Sequence, residues 1–417
     1  MNTEYSYQMK RVEYKNKKNL YWLVAIILFI SPETLLFGTN NNKVLSLLPT
    51  ILPFLLLLFL NLRKGYKLET KYKFSLISAF FVVPLFITAL VNFDTSPTYI
   101  IMAVATITGF TFVQRFKFED FIVVFEKLIY VIVVFSVLMF IISRLYPPVL
   151  SLFPSLYNTQ NNHFYNALLC VFPSFMDSGW LDRLWGPFRE PGVFQMYINI
   201  AFLIYIYTHR RLSVVHVSAY VVAIIFTQST TGYIVLAINL LYYTLYVRRR
   251  FSFQAFLIII LLIFGIYYLN TTTTLLSNEG KVFYKLTESG ESAAFARIAS
   301  IWGNIHLFLS NPITGVGYSN MNELFASYSL SAYGEITIHN TNTVLYQFAS
   351  LGFLYGTIWF LGFIFFFKKF GNNIATSLCC VVGQILSFMG ENISGNLLVY
   401  IILGYGVMAL FSEKKRY

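Results

Sequence analysis

The sequence predicts an all-α polytopic membrane protein of about twelve transmembrane helices, both termini cytoplasmic, with two long extracytoplasmic loops holding short interfacial helices. Three observations carry that prediction. Of 417 residues, 57% are hydrophobic and only 12% charged, where a soluble domain carries about 25% charged residues; the mean hydropathy is +0.64. The apolar residues gather in windows of bilayer length, roughly 20 residues for each helix. The basic residues fall between those windows in an alternating pattern. A soluble enzyme, a fibrous protein and a disordered chain are excluded.

The windows lie at 20–38, 44–62, 74–92, 98–114, 120–143, 191–208, 213–228, 230–247, 253–269, 341–367, 372–390 and 393–411. The polar N-terminal stretch runs into Leu20 to Phe37 without a small-residue cleavage pattern, so the first window reads as a retained span. With the N-terminus inside, 23 of the 30 basic residues fall on the cytoplasmic side. The seven outside are Lys43, Arg144, Arg183, Arg189, Lys281, Lys285 and Arg297. The opposite orientation violates the positive-inside rule. This topology also accounts for the net charge of +12 without a nucleic-acid partner. Cys170, Cys379 and Cys380 form no disulfide framework. The whole of 1–417 reads as a single integral membrane domain.

Two connections exceed ordinary link lengths, 146–190 and 270–340, and both fall outside. The first is rich in proline and aromatic residues. The second begins with Thr271 to Thr274 and holds two stretches, 282–286 and 293–309, suited to short interfacial helices. Loops of this length usually carry function.

Chemistry-bearing residues cluster on that side. Arg183 and Arg189 stand six apart in Arg-Leu-Trp-Gly-Pro-Phe-Arg-Glu190-Pro191-Gly192. Their planar forks suit one phosphate-bearing anion, or they hold lipid headgroups and pair with Asp182 and Glu190. Arg297 sits among small apolar residues in a helix-like stretch. It is followed by Asn311-Pro-Ile-Thr-Gly315-Val-Gly317-Tyr318, whose glycines permit close approach to a ligand or to backbone. His339, beside Asn340, precedes a span from outside, where an imidazole can accept a hydroxyl proton. Ser229 with Thr230, Thr231 and Gly232, and Glu391 with Asn392 and Asn396, sit at the outer ends of short hairpins. Polar groups at that depth face a cavity or bind helices together; Glu391 balances an arginine or binds a hydroxylated ligand. No metal-ligand spacing, Walker loop or GxSxG nucleophile motif is present, so neither metal nor cofactor is expected.

The ordered set Arg183–Gly186, Glu190-Pro191, Ser229 to Gly232, Arg297, Asn311-Pro312 with Gly315 and Gly317, and His339-Asn340 resembles the O-antigen polymerase/ligase superfamily over roughly residues 180–400. The first five spans contribute only hydrophobicity. The resemblance implies a metal-independent glycosyltransferase on the outer face of a bacterial cytoplasmic membrane. It also implies undecaprenyl-diphosphate-linked oligosaccharide as donor and acceptor, membrane lipids around it, and a chain-length regulator protein as a further partner.

Within the superfamily, Glu190-Pro191 and the Ser229-Thr-Thr-Gly form are closer to Wzy-type repeat-unit polymerases, which make O-antigen or capsular polysaccharide. Ligases, the alternative, often carry a basic residue where Thr230 stands. A lipid-linked oligosaccharide flippase or transporter fits the span count too, but usually has shorter outer loops and charges at mid-span. On the polymerase reading, Arg183, Arg189 and Arg297 stabilise the departing diphosphate, with Glu190 beside them. His339 is the general base, and Asn340, Glu391, Ser229 and Tyr318 contact substrate.

Overall fold

Helices form where apolar runs are bounded by residues that cannot continue them. In chain order they are α1 (17–29), α2 (Lys43–Leu62), α3 (Lys71–Val91), α4 (Thr98–Arg115), α5 (Phe118–Leu145), α6 (Pro191–Thr208), α7 (Val214–Thr227), α8 (Thr230–Tyr246), α9 (Glu291–Ser310), α10 (Tyr318–Tyr333), α11 (Thr343–Lys368), α12 (Ile374–Met389) and α13 (Leu397–Ser412). These come from a computed structural model that describes residues 17–38, 43–62, 71–157, 163–173, 183–209, 211–247, 291–334, 336–337 and 340–412.

Local chemistry explains the ends. α5 opens with Glu119 and Asp120 and closes with Arg144, charges that complement the helix dipole. α6 begins with Pro191 at its first position, where no amide hydrogen is needed. α12 has a reciprocal cap: Asn373 Oδ1 accepts from Thr376 N at 2.9 Å, and Thr376 Oγ1 accepts from Asn373 N at 3.1 Å.

Apart from 20–38 and from 253–269, which lies outside the described residues, every apolar window coincides with a helix. Phe118–Leu145, Pro191–Thr208 and Thr343–Lys368 are long and apolar enough to cross a membrane, and five shorter apolar helices accompany them. α6 is mostly apolar and almost wholly buried, so it forms the centre of the packing. α4, α5, α11 and α13 contribute further buried aromatic and aliphatic side chains to the same core. Outward, Leu55, Phe59, Phe80, Leu90, Val131 and Leu138 are exposed, the surface a lipid-facing helix presents.

Three expectations need correction. The first window is not one span: α1 stops at residue 29, and Ser31-Pro32-Glu33-Thr34 turns away before a single helical turn at Leu35–Gly38. Proline and a carboxylate there break the run that hydropathy alone joins. The described residues are mostly helical, as the all-α class requires, but the first outer loop departs from the interfacial helices expected there. The loop 146–190 holds a 3₁₀ turn at Pro147–Leu152 and three antiparallel strands in sequential order, β1 (Ser155–Tyr157), β2 (His163–Asn166) and β3 (Val171–Pro173). In the other loop, the expected helix over 293–309 is a full 20-residue α9, and a second helix, α10, follows it. The stretch 282–286 lies outside the described residues.

The turn between α9 and α10 shows why its glycines are there. Gly315 and Gly317 have φ of 69° and 81°, and Gly352, at φ 77°, kinks α11 opposite them. Through that kink, Phe353 N donates to Pro312 O at 2.7 Å, Val316 N to Ala349 O at 2.9 Å and Gly317 N to Ser350 O at 3.0 Å. The close approach is to backbone. It fixes α9, and Arg297 with it, against α11.

Candidate functional site

The segment 183–190 is stitched into place from both sides. Leu184 N donates to Phe226 O at 2.8 Å, and Leu35 N to Pro187 O at 3.2 Å. Arg189 N donates to Glu33 O at 2.8 Å, beside a bridge between Thr34 and Phe188. The small sheet holds the same segment, since Val171 N donates to Gly186 O at 2.7 Å. Leu35, Phe164, Val171 and Trp185 form an apolar cluster beneath it.

Within this frame all three side-chain nitrogens of Arg189 donate to the protein. Its Nε donates to Glu33 Oε2 at 2.8 Å, Nη1 to Glu190 Oε1 at 3.1 Å and Nη2 to Asn392 O at 3.2 Å. Burial works to lower its pKa, but Glu33, Glu190 and Glu391 outweigh that and raise it. Glu33 is buried, and its pKa is raised: desolvation exceeds the opposing pull of Arg189. Arg189 thus clamps three segments, residues 33, 190 and 392, with every nitrogen committed.

Arg183 is different. Among the described residues only its Nε finds a hydrogen-bond partner, donating to Thr227 O at 3.0 Å. Burial lowers its pKa; Glu190 and Glu391 oppose that, and Arg297 adds to it. It is a desolvated cation with a second cation nearby. Arg297, half-buried on α9, makes no hydrogen bond or ion pair with any described residue.

Glu391 closes the group. It is 9% exposed, and a methyl on Gly192, in the first turn of α6, would overlap its Oε1. Its pKa is raised by desolvation first, then by Glu190, to which it is hydrogen-bonded; Arg189 and Arg297 pull the other way. Five of the sequence-selected residues therefore share one electrostatic neighbourhood: Arg183, Arg189, Glu190, Arg297 and Glu391.

Asn340 reaches it indirectly. Its side-chain amide pairs reciprocally with Asn304 on α9, at 2.8 and 2.9 Å, two turns from Arg297. Three residues on, Thr343 Oγ1 donates to Glu391 O and accepts from Ile393 N at 2.9 Å. The segment 340–343 therefore ties the Arg297 helix to the Glu391 turn. His339 lies outside the described residues.

Two selected residues do other work. The Ser229 hydroxyl is buried and caps α8, accepting from Gly232 N at 3.3 Å. Tyr318 packs against Tyr99 and Tyr346, with ring centroids at 4.9 and 6.2 Å. It belongs to a second cluster, centred on Asp94. That carboxylate accepts from Ser319 N and Tyr99 Oη through Oδ2, and from Ser96 N and Ser319 Oγ through Oδ1. Desolvation raises the Asp94 pKa, yet these hydrogen bonds prevail and hold it below the usual carboxylate value. Among the described residues no hydrogen bond or ion pair is recorded between this cluster and the arginines.

Glu33 is the residue the sequence reading missed. Its signal was a charged group after Pro32 inside an apolar window, which calls for a buried partner. Among the described residues no group of three or more His, Cys, Asp and Glu side chains is placed to hold a metal. No family model matches the chain, and no curated protein does.

Proposed function

We propose that this chain is a membrane glycosyltransferase that polymerises undecaprenyl-diphosphate-linked oligosaccharide repeat units on the outer face of a bacterial cytoplasmic membrane, the product being O-antigen or capsular polysaccharide. The observation that carries the reading is Arg183 and Arg297, neighbouring cations from distant segments with few hydrogen-bond partners among the described residues, beside the carboxyls of Glu190 and Glu391. A doubly charged ligand of diphosphate type satisfies both guanidinium groups, and fork geometry matches its oxygens.

The chemistry follows from that arrangement. An acceptor sugar hydroxyl attacks the anomeric carbon of the donor. The new C–O bond forms as the bond to the lipid diphosphate breaks, and the electron pair leaves with the phosphate. Arg183 and Arg297 stabilise that developing charge. His339 takes the hydroxyl proton, which in-line attack requires in a single inverting step. Arg189 is a positioning residue, since each of its three nitrogens already donates to the protein. Glu190 and Glu391 offset the burial of Arg183 and favour its charged form.

Purified variants assayed on lipid-linked repeat unit test this. Arg297→Lys is expected to lose most of its turnover with an unchanged melting temperature, since a point charge cannot replace a fork. His339→Ala is expected to lose 10²–10⁴-fold in rate while still binding donor. Full activity of Arg297→Lys would make headgroup binding the better explanation of that cation.

A further inference from the structure

Below the arginine–carboxylate cluster, five buried side chains share a feature that the polymerisation chemistry does not use. Gln195 Nε2, Asn342 Nδ2, both polar atoms of Gln347, both of Gln384 and Ser387 Oγ have no hydrogen-bond partner among the described residues. All five residues are 0% exposed. Seven such atoms left dry would cost an amount comparable with the whole stability of a folded protein.

Their positions in the helices relate them to one another. Gly192, against which the Glu391 carboxyl packs, is followed one turn inward by Gln195, and Gln195 touches Gly232 at the start of α8. Thr343, bonded to Glu391 O, is followed one turn inward by Gln347 on the same face of α11. On α12, Gly390 contacts Thr231 and Gly383 contacts Val235 and Ile238, so that stripe faces α8; Ser387 lies on it between them. Gln384 is one turn further in from Ser387. Three helices that carry or adjoin the site at their outer ends thus each place an unmet amide or hydroxyl just beneath it.

Helix packing does not consume these atoms. Asn199 donates to Gln195 Oε1 at 3.0 Å and Asn239 to Asn199 Oδ1 at 3.1 Å, so the neighbouring amides on α6 and α8 are paired. The unmet atoms named above belong to α6, to α11 with its cap Asn342, and to α12.

We propose that Gln195, Asn342, Gln347, Gln384 and Ser387 form a hydroxyl-binding subsite directly beneath Glu391. Amides and a hydroxyl, each able to donate or accept, fit a ligand that does both. Ordered water has that chemistry, as does a sugar hydroxyl. Water bound there makes two to four hydrogen bonds and relieves the unmet groups.

The test uses full-length protein in lipid nanodiscs and the near-isosteric variants Gln347→Met and Gln384→Met. Stripped of saccharide, each variant is expected to melt a few degrees below the parent, because its loss strands bound water. A rise in melting temperature in both variants overturns the proposal, since removing a dry, unpaired amide stabilises a core. A second arm rests on the polymerase reading and separates the two sources of hydroxyl. A several-fold higher KM for lipid-linked repeat unit with little change in kcat identifies a sugar hydroxyl as the ligand; lower melting with unchanged KM identifies water. Because the melting arm needs no activity, its failure is distinct from failure of the polymerase assignment.

Discussion

Asp94 shows how much a single side chain carries in this molecule. Four donors meet its two oxygens, and two of them belong to Ser319 at the start of α10. Its folded pKa lies below the ordinary carboxylate value. The resulting stability is therefore fully present above the unfolded pKa, about 3.9, and is lost as pH falls through the lower folded value. Asp94→Asn is expected to lower the melting temperature at pH 7, and to converge with the parent only as pH falls below the folded value; melts across an acid series check it. A constant difference at all pH values would mean that shape alone, not charge, holds α10.

At this scale much of the site was legible. Arg183, Arg189, Glu190, Arg297 and Glu391 stood out because charge is scarce in an apolar chain. Their division of labour was not legible, since the partners that engage Arg189 come from residues 33 and 392. Ser229 was read as a ligand contact, but a Ser three residues before a glycine amide is also a helix cap.

Among elements, the α9–α10 turn and the α11 kink are the least replaceable. Gly315 needs a positive φ, and a methyl there would overlap the Ser350–Leu351 backbone. Gly334 ends α10 with φ 75°, and a methyl there would meet no other group within 4 Å. Gly334→Ala should cost only backbone strain, roughly 1–2 kcal/mol. Gly315→Ala should cost clearly more and release α9 from α11, which chemical-denaturant melts and protease nicking after residue 310 would register. Equal effects at the two glycines would contradict the docking of this turn on α11.

Helix positions followed directly from hydropathy because a bilayer-length apolar run has few other solutions. The strands did not, because three or four residues each in a proline-rich loop give no usable alternation. α10 escaped for the opposite reason: its Ser, Asn and Tyr content conceals an amphipathic helix with Met321 and Phe325 inward.

For the whole molecule, the distribution of 23 basic residues against seven fixes the expected orientation. Single cysteines placed in 146–190 or 270–340 should react with an impermeant reagent from outside intact cells, and cysteines at 248–250 should not. Reversed labelling would put the arginine cluster on the nucleotide-containing side and remove the reason for a lipid-diphosphate donor. The most direct measurement is reconstitution. Purified full-length chain in liposomes, given one undecaprenyl-diphosphate-linked repeat unit, chelator and no nucleotide, should convert it into a ladder of lipid-linked oligomers. Movement of the intact donor across the bilayer, with no new glycosidic bond, would contradict a polymerase and make the protein a carrier.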